Sequence, residues 1–238
     1  MKYILFSLLL TFILSDSFSQ AASYTDPAAA YMRVMFEKGS EGSYQQISNF
    51  KVIGTSYLYG EKLPGSIYTK SEKSEHTNLS YNTYNQQVDV YLNATNQIIS
   101  KKPSEVDSFI IYNSNSDFYK EDLLFYTSKL VSPLAKDLFY QVLLIGPKYN
   151  LYKNFTANLD IVSTNYIQSE LRQFNLEYNY YYLNNSTNEF KKIKLSRKKI
   201  IEDFSKTIDL SPSIDFDEIN NNPEIALKKI FNILNNKQ

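Results

Sequence analysis

The feature that most constrains the fold of this chain is the spacing of its apolar residues, which alternate with polar residues from Phe50 to Leu195. An extended strand places successive side chains on opposite faces, so this alternation predicts β-strands with one buried face. After Leu195 the apolar period becomes that of an α-helix. Because strands precede helices and do not alternate with them, we predict an α+β fold built on a mainly antiparallel sheet.

Two hairpins stand out within this β-rich region. The first lies in LFYQVLLIGPKYNLYKNF, where Gly146-Pro147 separates two apolar-rich arms. The second joins EYNYYYL (177–183) to EFKKIKL through the turn residues NNSTN (184–188). Further strands are predicted within 51–69, 87–92, 105–113 and 122–131. These patterns leave open whether the sheet is a flat meander, is curved or closes into a barrel.

Helices are predicted at both ends of the mature chain. Asp26-Pro27 is typical of a helix start, and the segment that follows it ends at Gly39. Ser196 is suited to cap RKKIIEDFSK, and Asn222-Pro223 opens PEIALKKIFNILN. The last segment has an apolar stripe made of Ile225, Leu227, Ile230, Phe231 and Leu234. We expect this stripe to pack on the sheet, and the alternative is that it binds to another protein.

The first 19 residues are typical of a secretory signal peptide. Lys2 precedes an apolar run from Ile4 to Leu14 that is too short to span a bilayer, and small residues come before a cleavage point near Gln20. The predicted organisation is therefore a signal peptide (1–19), an N-terminal helical or linker segment (20–49), a β-rich body (50–195) and C-terminal helices (196–238) that form one globular unit with the body. With no cysteine, the chain has neither disulfides nor a lipidated thiol.

The charge of the chain is balanced, at 25 basic and 25 acidic residues, which gives no support to bulk binding of nucleic acid. One segment departs from this balance, since KKIKLSRKK (191–199) contains no acid. Its basic residues are Lys191, Lys192, Lys194, Arg197, Lys198 and Lys199. A solvated lysine-rich arm offset by Asp203 and Asp209 is the favoured interpretation; the competing hypothesis makes these residues a binding surface for an anionic partner, such as an acidic protein face, an anionic glycan or a lipid phosphate.

The tyrosines of EYNYYYL carry a second site hypothesis. Strand alternation places Leu176, Tyr178, Tyr180 and Tyr182 on one face. A one-sided tyrosine row favours a sheet face packed on a core, and an exposed stacking surface for a partner is the competing interpretation. The absence of tryptophan weakens the version in which that surface binds a glycan.

Catalytic patterns are sparse. The single histidine, His76, lies in a polar stretch typical of a loop or exposed strand edge. Glu105 and Asp107 are two residues apart in a predicted strand, with Asp89 in a neighbouring one, so an acid pair for glycan hydrolysis is conceivable. An exposed sheet face explains these carboxylates equally well. We predict no catalytic residues, no metal site and no cofactor.

The order of elements, from YLYGEKLPGSIYT through QVDVYL and FYQVLLIGPKYNLYKNF to YNYYYL and the helical end, resembles a group of secreted β-rich proteins of Bacteroidota over roughly residues 55–235. The resemblance implies a periplasmic or outer-membrane-associated location and brings no catalytic residues. We therefore expect a non-enzymatic exported envelope protein, a periplasmic binding or accessory subunit whose partner is an outer-membrane protein. A carboxylate-dependent glycan hydrolase and a carrier of an apolar or lipid ligand are the alternatives.

Overall fold

A computed structural model describes residues 36–38, 44–46, 51–70, 73–92, 97–113, 119–161, 171–204 and 216–236. The chain forms two compact units, a smaller one from residues 1–55 and 161–173 and a larger one from residues 56–160 and 174–238. None of the helices in the described ranges has the length and apolar character needed to cross a membrane.

The described residues form thirteen strands and four α-helices. The strands are β1 (Phe36–Lys38), β2 (Tyr44–Gln46), β3 (Lys51–Ile53), β4 (Leu63–Tyr68), β5 (Lys73–Asn82), β6 (Gln87–Leu92), β7 (Gln97–Lys101), β8 (Ser108–Ile111), β9 (Leu123–Thr127), β10 (Phe139–Leu144), β11 (Tyr149–Ile161), β12 (Leu171–Asn184) and β13 (Glu189–Lys192). The helices are α1 (Ser128–Val131), α2 (Arg197–Phe204), α3 (Phe216–Asn221) and α4 (Pro223–Asn236).

The smaller unit contains two separate pairings. β1 and β2 pair antiparallel, and β3 runs parallel to the first residues of β12, with Lys51 opposite Leu171. The helix predicted to end at Gly39 is not supported. Its start signals at 26–35 lie outside the described residues, and Phe36–Lys38 form β1 because pairing with β2 overrides their helix propensity.

The larger unit is built on one mostly antiparallel sheet, which confirms the predicted β body. The strand order is β13-β12-β11-β10-β9-β8-β4-β5-β6-β7, and the sheet does not close on itself. Both predicted hairpins are present, β10 with β11 and β12 with β13. The prediction for 122–131 is wrong in its second half, since the strand ends at Thr127 and α1 follows.

One half of this sheet is rolled around Tyr81. Tyr81 of β5 and Phe139 of β10 are four strand positions apart, which is about 19 Å in a flat sheet. Their ring centroids are only 5.5 Å apart, so the intervening strands curl strongly. The turn after β5 reaches β11, where the Ala157 N–H donates to the Thr83 carbonyl at 3.1 Å.

The rolled strands enclose a core that we call the rolled core. It consists of Leu58, Ile67, Leu79, Tyr81, Val88, Val90, Val106, Phe109, Ile111, Tyr119, Leu123, Phe125, Phe139 and Phe155. Phe109 and Phe125 stack in parallel with centroids 4.5 Å apart, and the Tyr81 ring meets both edge-on. Aromatic pairs of this geometry contribute beyond the area they bury.

The C-terminal helices cover the other half of the same sheet face, on β10 to β13. This helix-covered core consists of Tyr149, Leu151, Tyr180, Tyr182, Ile193, Ile200, Phe204, Ile219, Ala226, Leu227, Ile230, Phe231 and Leu234. The predicted caps form as expected, since Ser196 Oγ accepts the Lys199 N–H at 3.3 Å and α4 starts at Pro223. Ile225 departs from the predicted stripe, being 51% exposed, while Ala226 is buried in its place.

Candidate functional site

A polar row separates the two cores on the sheet face that they share. In β10, Gln141 lies between Phe139 of the rolled core and Leu143, which packs on the helix-covered core. In β11, Lys153 lies between Leu151 and Phe155 in the same way. The two residues are direct partners in the ladder, because Gln141 pairs with Lys153. We call the row of Gln141, Lys153 and the neighbouring Tyr178 of β12 the polar seam.

The ammonium group of Lys153 lies between aromatic rings. Its ammonium nitrogen lies 4.8 Å from the ring centroid of Phe155 and 4.7 Å from that of Tyr178. It also forms an ion pair of 2.9 Å with Glu224 of α4, with only 12% of the lysine side chain exposed. Ring faces and a carboxylate together stabilise a cation that is largely removed from water.

Glu224 is held in its charged form by two lysines. Burial favours the neutral acid, but the charges and hydrogen bonds of Lys153 and Lys228 outweigh it and lower the pKa of Glu224 below its ordinary value. Lys228 lies one helical turn along α4, at 3.1 Å from the second carboxylate oxygen. Glu224 therefore presents an ionised, acceptor-only group to the seam.

A cavity of about 280 Å³, which we call the seam cavity, opens beside Gln141, Glu224 and Lys228. Its lining includes Tyr59, Tyr119, Gln141, Leu143, Glu224 and Lys228. Gln141 is 8% exposed, and its side-chain amide makes no hydrogen bond to any residue in the described part of the chain. Buried amides in native proteins nearly always have a partner, so this group is the most unusual feature of the cavity.

Tyr59 closes one side of the cavity in a strained conformation. Its φ of 59° is in the left-handed region, which is rare for a bulky side chain. Its ring packs against Tyr119 at 5.2 Å and against Phe155 at 6.4 Å. Burial, followed by the Glu224 charge and Tyr119, raises the pKa of the Tyr59 hydroxyl, which therefore stays protonated at neutral pH.

The predicted tyrosine row divides between core and surface. Tyr180 and Tyr182 are 2% and 4% exposed and belong to the helix-covered core. Burial raises the pKa of both hydroxyls above the ordinary tyrosine value. Tyr178 is 48% exposed and meets Tyr180 edge-on at 5.8 Å. The row is therefore a core wall that ends, at Tyr178, in an exposed ring beside Lys153.

The predicted basic segment lies on the edge strand β13, the loop after it and the start of α2. Lys191 pairs with Asp203 at 2.6 Å, and Lys199 pairs with Glu202 at 2.7 Å. Lys192, Lys194, Arg197 and Lys198 are exposed. Asp203 raises the pKa of Lys191 through a hydrogen bond. Lysine on an edge strand also discourages strand addition by other chains, which is a structural reason for part of this segment.

The structure does not bring the three candidate carboxylates together. Glu105 lies in a 3₁₀ turn (Pro103–Glu105) and not in a strand, where its carboxylate accepts the Lys102 N–H at 2.9 Å. Asp89 lies in β6, which β5 and β4 separate from β8. Its carboxylate accepts hydrogen bonds from the Tyr57 hydroxyl at 2.8 Å and from the Ser100 hydroxyl. The prediction of neighbouring strands is therefore wrong, because β8 pairs with β4, the first strand of the β4-β5-β6-β7 series, and not with β7.

His76 lies in β5, opposite the register irregularity of β4 between Gly65 and Ile67. Of the two expected positions for His76 the loop is wrong, while the strand edge is not contradicted, because the described pairing of β6 with β5 covers Asn78–Asn82 and does not reach His76. Within the described ranges, no group of three or more His, Cys, Asp and Glu residues is arranged to hold a metal ion.

The seam was missed at the sequence level although it left a signal there. In the predicted hairpin, Gln141 and Lys153 occupy inward positions of both arms, between apolar residues. Pairing the arms around Gly146-Pro147 places these two exceptions near each other. Tyr59 and Glu224 had no comparable signal, because the roll of the sheet and the docking of α4 bring them to the seam.

The geometry defines an α+β protein with a rolled, open sheet, helices over part of one face and a polar cavity at the boundary of that cover. No family model, curated protein or solved structure matches the chain.

Proposed function

We propose that this protein is an exported, non-enzymatic binding protein of the bacterial envelope that holds a small polar ligand in the seam cavity. The observation that supports the proposal is the buried amide of Gln141 in the cavity lining, which has no hydrogen-bond partner among the residues that the structure describes. Burying such a group without a partner costs about 1–3 kcal/mol. A ligand that hydrogen-bonds to the amide removes this cost, which gives a reason for a glutamine at an inward position of β10 between apolar residues.

The location rests on the first 19 residues, whose layout is that of a secretory signal peptide. Together with the resemblance to secreted proteins of Bacteroidota, it supports a periplasmic or outer-membrane-associated protein. The mature chain then begins at Gln20 or Ala21, and the intact mass of the exported protein tests this directly.

The two alternative functions find less support in the geometry. A hydrolase that uses Asp89 would need a carboxylate free to act, whereas this one is buried and engaged by Tyr57 and Ser100. A carrier of apolar ligands would need an apolar cavity, whereas Gln141, Glu224 and Lys228 line this one.

Native mass spectrometry of the protein purified from envelopes of its source organism tests ligand binding. We expect wild-type protein to carry an additional small mass, and Gln141→Leu protein to lack it. Gln97→Leu, on the exposed edge strand β7, is the matched control and should keep the ligand. The same additional mass on wild-type protein and Gln141→Leu protein, or no additional mass on either, would contradict the proposal.

A second candidate function is docking on an outer-membrane protein through the basic surface of β13 and α2. It is favoured by the exposure of Lys192, Lys194 and Lys198 on one continuous stretch of chain. An acidic partner face would neutralise these lysines, with a rate of association that falls as salt rises.

Charge reversal tests the docking surface without disturbing the cores. Lys192→Glu, Lys194→Glu and Lys198→Glu are combined in one tagged variant, and Lys70→Glu, Lys102→Glu and Lys136→Glu in a control, all at exposed positions. Stoichiometric recovery of an outer-membrane protein with wild type and the control, and its loss with the first variant, is the expected result. Equal recovery with all three proteins would rule this surface out. Deleting the chain after Asn220 is unsuitable, because it removes the buried face of α4.

A further inference from the structure

The seam cavity also constrains the chemistry of its ligand, an inference that rests on the proposed function. Its charged lining residues are two lysines, Lys120 and Lys228, and three carboxylates, those of Glu121, Asp122 and Glu224. Lys153 offsets Glu224 from the other side at 2.9 Å. With charges this closely balanced, the cavity favours a neutral ligand over an anion or a cation.

The hydrogen-bonding groups of the lining differ in kind. The Gln141 amide both donates and accepts, the ionised Glu224 carboxylate only accepts, and the Lys228 ammonium only donates. A ligand that satisfies all three must offer several groups that act as donor and acceptor at once. Hydroxyl groups on adjacent carbons have this property.

The aromatic part of the lining bears on the shape of the ligand. Tyr59 and Tyr119 stand 5.2 Å apart with their planes tilted by 42°. At this distance and tilt the two rings pack against each other and leave no parallel slot between them for a flat nucleobase, so this part of the lining does not favour a planar ligand. The volume of about 280 Å³ is just below the usual range for small-molecule sites, so the ligand or the bound part of it is small.

From these observations we propose that the seam cavity binds one neutral sugar ring, either as a free sugar or as the end residue of a glycan, with Gln141 hydrogen-bonding to its hydroxyls. Half-exposed Tyr178 lies beside Lys153, which bonds to Glu224 of the lining. The structure thus gives the tyrosine row a supporting role, since Tyr178 and Tyr180 help to hold the lysine that orients Glu224.

Ligand-observed NMR and calorimetry with defined probes test the inference on refolded, ligand-free protein. The sugar probes are the methyl glycosides of glucose, galactose, mannose and N-acetylglucosamine; the other probes are glucuronic acid, alanylglutamine and thymidine. We expect saturable binding of at least one neutral methyl glycoside. The dissociation constant should rise at least about tenfold in Gln141→Leu, since a site built to hydrogen-bond a ligand loses affinity when that group is removed, and should be unchanged in Gln97→Leu.

An oligosaccharide that carries the preferred sugar at its non-reducing end separates the two sources, because equal or tighter binding than the methyl glycoside indicates a glycan end. Gln141-dependent binding of alanylglutamine or thymidine, without any sugar, would overturn the sugar inference while leaving a small polar ligand in place. Sugar binding of equal strength in wild type and Gln141→Leu, or no binding of any sugar probe, would overturn it as well. A folded Gln141→Leu protein, judged by an unfolding midpoint no lower than that of wild type, is required for these comparisons.

Discussion

The rolled core and the helix-covered core occupy one face of the same sheet but are covered in different ways. The rolled core is covered by the curl of its own strands, so that Tyr81 meets Phe109, Phe125 and Phe139 without a helix between them. The helix-covered core depends on distant chain, since Tyr149 packs on Phe231 at 6.0 Å. β10 and β11 contribute to both cores.

This difference explains where the cavity forms. Neither the rolled strands nor the C-terminal helices fully cover the sheet face at the boundary between the two cores. At that boundary Gln141 and Lys153 take the place of apolar residues in two adjacent strands. A packing boundary filled only for stability would carry apolar side chains. The polar seam lies at a place that the architecture leaves accessible, and it is there that we propose the binding site.

Alanine at the centre of each core should produce the largest effects. Phe109 and Phe231 are both fully buried, and each truncation should lower the free energy of unfolding by about 3–5 kcal/mol. Phe109→Ala should reduce hydrogen-exchange protection throughout the sheet, whereas Phe231→Ala should first expose α2 to α4, because those helices depend on that core. Equal loss of protection across all strands in both variants would show that the two cores unfold as one.

Asn235 of α4 is hydrogen-bonded to the β10–β11 turn, and removing this clamp should have the next largest effect on stability. Asn235 Oδ1 accepts the N–H groups of Lys148 and Tyr149 at 3.0 and 2.8 Å, and its Nδ2 donates to the Tyr149 carbonyl at 3.0 Å. Asn235→Ala leaves these backbone groups without their partner and should cost about 1–3 kcal/mol. Urea unfolding measures this loss, with Asn232→Ala on the exposed face of α4 as the control. A loss of unfolding free energy equal to that of the control would show that Asn235 does not hold α4 to the turn.

The ion pair at the seam should give a smaller, pH-dependent effect. Because the folded state lowers the pKa of Glu224, the charged group adds stability above its unfolded pKa of about 4.5, and this stability disappears as pH falls through the lower folded pKa. Glu224→Gln should therefore be less stable than wild type by about 1 kcal/mol at pH 7, and the difference should vanish in acid. A difference that stays constant from pH 7 down to pH 3 would contradict this role.

The basic surface should matter least for stability. The Lys191–Asp203 pair is exposed on the lysine side, so Lys191→Ala should change the free energy of unfolding by no more than about 0.5 kcal/mol. Thermal unfolding at low and high salt provides the measurement. A larger, salt-dependent loss would show that this surface belongs to the folded core and is not available for a partner.

Local pattern predicted the elements of this fold and failed at their assembly. Alternation placed Tyr180 and Tyr182 on a buried face, and capping signals located Arg197 and Pro223 at helix starts. The roll that brings Tyr81 to Phe139 depends on non-local pairing, which no local pattern contains. The same holds for the insertion of β4 between β8 and β5, which separates Asp89 from Glu105 and Asp107.

The candidate site was predictable only in part. The exceptions at Gln141 and Lys153 can be read from the hairpin, and Tyr178 lies on the face that alternation predicts. Tyr59 and Glu224 reach the seam through the chain path before β4 and through the docking of α4, both of which require the assembled fold.

The measurement that most directly tests the central claim is the stability of ligand-free Gln141→Leu protein. If the seam is kept for binding, removing the Gln141 amide, which has no partner in the described ranges, should raise the free energy of unfolding by about 1–3 kcal/mol, while Gln97→Leu should stay within about 0.5 kcal/mol of wild type. A Gln141→Leu protein less stable than wild type would show that the amide supports the fold, and would contradict the assignment of the seam as a binding site.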